Sequence, residues 1–141
     1  MCIRDRPKPQ AVLCVWIDEL SSLVTSHGQS AVDKIIVEVS ERLKLKLRAP
    51  DVLGRYDDAG FLVILTSDAP AEELTDIGDR LRSEVAFPVS LDQKLVSFTA
   101  SVALGSLEKK KPSIEKVLSL LDSSAARAAS SGGNRTDVLE F

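Results

Sequence analysis

The chain has 141 residues, 44% of them hydrophobic and 28% charged, with a net charge of −3. That is enough for one domain with its own core, and the mixed charge offers no basic surface to a nucleic acid. Every apolar run is cut by charges before it reaches membrane-spanning length. Two cysteines make no disulfide framework, so the expected setting is a reducing cytoplasm.

Residues 1–10 are polar, carry Pro7 and Pro9, and lack the apolar stretch of a signal peptide. The run Met1 to Arg6 also resembles the peptide read from translated sequencing-adapter DNA. Residues 1–10 are therefore set aside as disordered or artefactual, a native start further upstream is expected, and the domain is placed at 11–141. Residues 11–17 form a continuous apolar run, as expected for a central strand buried on both faces. Cys14 lies inside it and reads as a buried, unreactive thiol. Asp18 reads as the N-cap of a short helix to about residue 25, which Gly28 breaks. His27, the single histidine, reads as a surface or half-buried packing residue.

Over residues 31–48, Val32, Ile35, Ile36, Val39, Leu43 and Leu47 recur at helical spacing. Lys44, Lys46 and Arg48 suit the carbonyl end of that helix, and Pro50 stops it. A short strand then runs to Tyr56. The polar turn Asp57, Asp58, Ala59, Gly60 and an apolar strand from Phe61 complete a hairpin. Pro70 suits the first turn of a helix to about residue 85, with Leu74, Ile77, Leu81 and Val85 facing inward. Residues 87–91 and 94–104 read as a hairpin around Asp92 and Gln93. In its longer arm Val96, Phe98, Ala100, Val102 and Leu104 alternate with Ser97, Thr99 and Ser101, which predicts one buried face. A charged loop at 108–112 leads into a last helix marked by Ile114, Val117, Leu118, Leu121, Ala125 and Ala128, and 138–141 reads as an edge strand. The order β-α-α-β-β-α-(β)-β-α-β predicts an α+β fold of ferredoxin-like type, with the helices all on one side of the sheet.

The stretch from Arg48 to Phe61 resembles the signature of the GGDEF family, the diguanylate cyclases that join two GTP molecules into cyclic di-GMP. The resemblance covers nearly everything from residue 11 onward and implies the palm-type antiparallel sheet of that family. The frame is kept: Arg55 and Tyr56 stand before the motif, Phe61 after it, and Arg48 and Asp51 form an RxxD pair upstream. The motif differs, with Asp57, Asp58, Ala59 and Gly60 in place of Gly-Gly-Asp/Glu-Glu. The resemblance also places Trp16 where the family has a magnesium-binding aspartate, and an indole cannot ligate magnesium. Val24 stands for the asparagine that holds guanine, while Asp33 matches the second base-reading residue. The run 129–134 keeps the family's turn without its lysine and arginine. Phosphoryl transfer depends on metal and cationic charge, so the expectation is a chain that is not an enzyme, with magnesium binding lost.

What the resemblance leaves is the RxxD pair, which in the family binds a stacked cyclic di-GMP dimer. Arg48 would donate to guanine O6 and N7, and Asp51 would accept from the N1–H and N2 edge. Arg80, or the nearby Arg82, would be the second arginine. Each residue also has a plain structural reading: Arg48 suits a helix C-terminus, Asp51 a turn cap, and Asp33 a first helical turn. Two functions follow as expectations. One is a cyclic di-GMP receptor. The other is a dimerisation or interaction module independent of nucleotide, pairing with itself or with an active GGDEF domain. Neither a nucleic acid nor a membrane is expected as partner.

Overall fold

The computed structural model describes residues 10–48, 51–66, 70–107 and 112–141. The setting-aside of residues 1–10 and the charged loop at 108–112 fall almost wholly outside them. The apolar run Ala11–Ile17 is β1, and its odd and even positions explain the architecture. Ala11, Leu13, Val15 and Ile17 face one side, and Val12, Cys14 and Trp16 the other, as strand periodicity requires. A strand that is apolar on both faces needs a cover on both.

β1 is followed by α1 (Leu20–His27) and α2 (Gln29–Lys46), then by the hairpin of β2 (Val52–Tyr56) and β3 (Gly60–Leu65). A 3-10 turn at Ala71–Glu73 leads into α3 (Leu74–Val85). The small hairpin of β4 (Val89–Leu91) and β5 (Lys94–Val96) follows, then β6 (Ala100–Ser106), α4 (Ile114–Ser130) and β7 (Thr136–Leu139). The main sheet has the order β2-β3-β1-β6-β7. All its pairs are antiparallel except the last, β6 with β7. Asp92 and Gln93 both adopt left-handed backbone between β4 and β5, the turn that suits a two-residue hairpin loop.

One core lies between the sheet and α2 with α3, built on Leu13, Val15, Ile35, Val39, Phe61, Val63, Leu81 and Leu104. The second lies on the opposite face, where Val117 and Leu121 of α4 meet Val12, Cys14 and Ala103. The expectation that all helices pack to one side is therefore corrected: α4 covers the other face. The same fact corrects the reading of residues 94–104. Strand pairing stops at Val96 and resumes at Ala100. From there Ala100 to Gly105 are all buried, Ser101 and Ala103 included, because α4 shields the face that alternation assigned to solvent.

Candidate functional site

One end of the sheet gathers the β2–β3 turn, the end of β1, the start of β6 and the α4–β7 turn. Asp18 joins them. The residue is 8% exposed, and its carboxylate accepts from Thr99 Oγ1, Ser101 Oγ and the backbone N–H of Asn134, each at 2.7 Å. Its own N–H donates to Thr99 O at 2.9 Å. The N-cap expected at Asp18 is corrected by this arrangement: the cap of α1 is Glu19, which makes no side-chain capping bond. Asp18 turns inward because three donors converge on it. The available signal was two hydroxyl residues, Thr99 and Ser101, in an otherwise apolar stretch.

At the hairpin, Asp57 takes left-handed backbone (φ 64) and accepts the N–H of Asp58 at 2.7 Å. Both side chains are exposed. Ala59 O accepts from Ile17 N at 2.9 Å, which fixes the turn against β1. Gly60 pairs with Tyr56 and Trp16 across three strands, and a Cβ there would stand 2.5 Å from Tyr56 O. Phe61 is buried in the larger core, with the Arg55 guanidinium 4.9 Å above its ring centre. Arg55 Nη2 also donates to Asp58 O at 2.6 Å.

Tyr56 donates its hydroxyl to Asp122 of α4, and burial together with that acceptor pushes its pKa up. The Cys14 thiol is pushed up to about 12, first by burial and then by Asp122 and Asp57. Its thiolate is the reactive form, so Cys14 should resist a thiol reagent in the folded protein at mildly alkaline pH. It should react at once in denaturant, and comparable rates in the two states would contradict this burial. Because the folded pKa lies above the ordinary value of 9.0, this group stabilises the fold fully below pH 9, and that share is lost as pH rises towards 12.

Asp33 is exposed near the start of α2 and accepts from Gln29 Nε2 at 2.9 Å. His27 is exposed at the end of α1. Arg48 and Asp51 stand at the opposite end of the sheet, one β2 length (about 17 Å) from the hairpin turn. Arg48 is exposed. Its N–H donates to Asp51 Oδ2 at 3.0 Å, and Asp51 N donates to Arg48 O at 2.6 Å. Asp51 Oδ1 accepts from Thr66 N and Thr66 Oγ1 at 2.8 and 3.0 Å. Arg80 is exposed on α3. Arg82 is held by Asp79, Thr136 and Asn134.

The profile described as the GGDEF domain of diguanylate cyclases matches residues 2–135. The chain belongs to the GGDEF family. The cyclic di-GMP phosphodiesterase NbdA of Pseudomonas aeruginosa is 33% identical over 103 residues, covering 72% of this GGDEF domain and 13% of NbdA. The domain thus spans a small part of such relatives. Among solved structures, the GGDEF domain of TpbB (YfiN) from Pseudomonas aeruginosa superposes with a TM-score of 0.83 at 21% identity, covering 94% of this chain and 78% of that one. The GGDEF domain of DgcB from Caulobacter crescentus, in complex with c-di-GMP, gives 0.76 at 18% identity, over 92% and 77% of the two chains. Both likenesses establish the fold.

Membership corrects the expectation that the chain is not an enzyme: the family is that of the diguanylate cyclases, and a substituted hairpin does not remove the domain from it. The magnesium ion that the family implies meets an unsuitable donor set. Trp16 supplies no oxygen, both oxygens of Asp18 already accept from Thr99, Ser101 and Asn134, and Asp57 and Asp58 stand on an exposed turn. Among the described residues no three His, Cys, Asp or Glu side chains gather. These residues do not fit a magnesium site. No described helix is long and apolar enough to cross a membrane.

Proposed function

We propose that this GGDEF domain serves cytoplasmic cyclic di-GMP signalling by binding cyclic di-GMP at the Arg48–Asp51 corner. The observation that carries the reading is an exposed guanidinium on a turn closed by reciprocal bonds, Arg48 N to Asp51 Oδ2 and Asp51 N to Arg48 O. Thr66 fixes the carboxylate further. A guanine edge offers two acceptors to an arginine fork and two donors to a carboxylate. Arg80 on α3 is the second cation in this reading, since Arg82 is engaged with β7 and its preceding turn. The c-di-GMP complex of the DgcB domain supports the choice of ligand. Ala49 and Pro50 lie outside the described residues.

Calorimetric titration with cyclic di-GMP should show binding by the wild-type domain and a loss of at least about tenfold in Arg48→Ala, the value of one bidentate base contact. Arg80→Ala should weaken it less. No heat from the wild type, or equal affinity in Arg48→Ala, would overturn the proposal. The same preparation incubated with GTP and magnesium assays the family reaction directly. The second reading, an interaction module independent of nucleotide, draws on Asp51, whose oxygens already accept from Thr66 and Arg48. It predicts self-association with no response to cyclic di-GMP.

A further inference from the structure

Strand pairing after β5 leaves a gap. Val96 is the last residue paired with β4, and Ala100 is the first paired with β1. Between them Thr99 O accepts the Asp18 N–H, while Ser97 and Phe98 make no backbone hydrogen bond among the described residues. β4 and β5 form a sheet of two strands, and such a pair gains stability from a third. Its position is fixed from α2, where the Arg42 guanidinium donates to the carbonyls of Val85, Phe87 and Pro88.

Beside the gap runs an open groove of about 410 Å³ between α1 and residues 97–99. Its α1 wall is Glu19, Ser22, Leu23, Ser26 and His27, one face of the helix by i, i+3 and i+4 spacing. Val24, at the position of the family's guanine-holding asparagine, is on another face. Leu23 and Phe98, both half-buried against the main core, supply the apolar part of the groove. The Asp18 carboxylate is taken by its three donors. Glu19 is exposed, and no hydrogen bond or ion pair engages its side chain among the described residues.

We infer that this groove binds a short extended segment of a partner protein, which adds a strand beside β5 at Ser97. The inference goes beyond the ligand reading and does not need it, since the Arg48–Asp51 corner lies at the other end of the sheet. One residue of the segment exchanges N–H and C=O with Ser97, the bonding of a single antiparallel pair. From Glu19 to His27 the helix runs about 12 Å, the length of about four extended residues. Alternate side chains of the segment face the groove. One of them is apolar and meets Leu23 and Phe98. The next on that face, two residues along, is a lysine or arginine and meets Glu19, which lies one helical turn from Leu23.

A random heptapeptide library displayed on phage and selected on the immobilised domain tests this. The selected peptides should share a lysine or arginine two residues from an apolar side chain. A synthetic copy of one should lose at least about tenfold in affinity for Ser97→Pro, which removes a backbone donor and bars strand addition. That N–H holds nothing among the described residues, so the circular dichroism spectrum should not change. Glu19→Lys, at an exposed side chain, tests the charge independently of the proline. It should weaken the same peptide and, in a fresh selection, yield acidic residues in place of basic ones. No enriched sequence, enrichment without a basic residue, equal affinity in Ser97→Pro, or basic peptides selected again by Glu19→Lys would each overturn the inference.

Discussion

Asp18→Ala is expected to lower the melting temperature by about 10 °C. The carboxylate holds three donors, and removing it leaves the Ser101 hydroxyl, 0% exposed, with no acceptor in reach of water. Unsatisfied buried polar groups cost about 1–3 kcal/mol each, and relaxation of the more exposed Thr99 and Asn134 limits the total to about 3 kcal/mol. For a domain of this size that is about 10 °C in Tm. Asp18→Asn keeps an acceptor for one donor and an amide that a rotated hydroxyl can accept from, so about half the loss is expected. The exchange protection of the Asn134 amide should fall in both variants, since among the described residues that N–H donates to Asp18 alone. An Ala variant as stable as the wild type would show that Asp18 does not join these elements.

Asp18 also shows where sequence reasoning stopped. An aspartate directly before a short helix is the ordinary sign of a cap, and local pattern contains nothing to displace that reading. Its real partners lie 81, 83 and 116 residues away in the chain, and only the closed sheet brings them together. The order of elements was legible except at 94–104, which divides into β5 and β6, because helical and strand periodicity are local properties. The placement of α4 was legible in principle. Residues 11–17 are apolar without alternation, and a strand buried on both faces cannot sit in a sheet with helices on one side only. Ser101 hid the same fact in β6, since a buried serine with a partner looks in sequence like a solvent-facing one. At the candidate site the hairpin and the Arg48–Asp51 turn were found from their frame of flanking residues. The tie from Tyr56 to Asp122 was not, because it joins residues 66 apart, one in the sheet and one in the helix that covers it.

Gly133→Ala should cost about 2–4 kcal/mol, a steric and conformational sum that depends on Asp18. Gly132, Gly133 and Asn134 take left-handed backbone in succession (φ 89, 72 and 53). This brings Gly133 N to Ala128 O at 2.7 Å and points Asn134 N at Asp18. A Cβ on Gly133 would stand 2.5 and 2.6 Å from the two oxygens of the Asp18 carboxylate. That carboxylate is pinned by three donors, so it cannot swing aside as a surface side chain would. The left-handed backbone alone costs an alanine about 1–2 kcal/mol, and overpacking supplies the rest. In an Asp18→Ala background the overpacking disappears and only the backbone cost remains. The two substitutions should therefore be less damaging together than the sum of their separate effects, with a coupling of about 1–2 kcal/mol in a double-mutant cycle read by urea denaturation. Additive effects would mean that the α4–β7 turn does not rest on Asp18. The coupling expected here makes the turn and the end of β1 one mechanical unit, so a ligand that shifts either one must move the other.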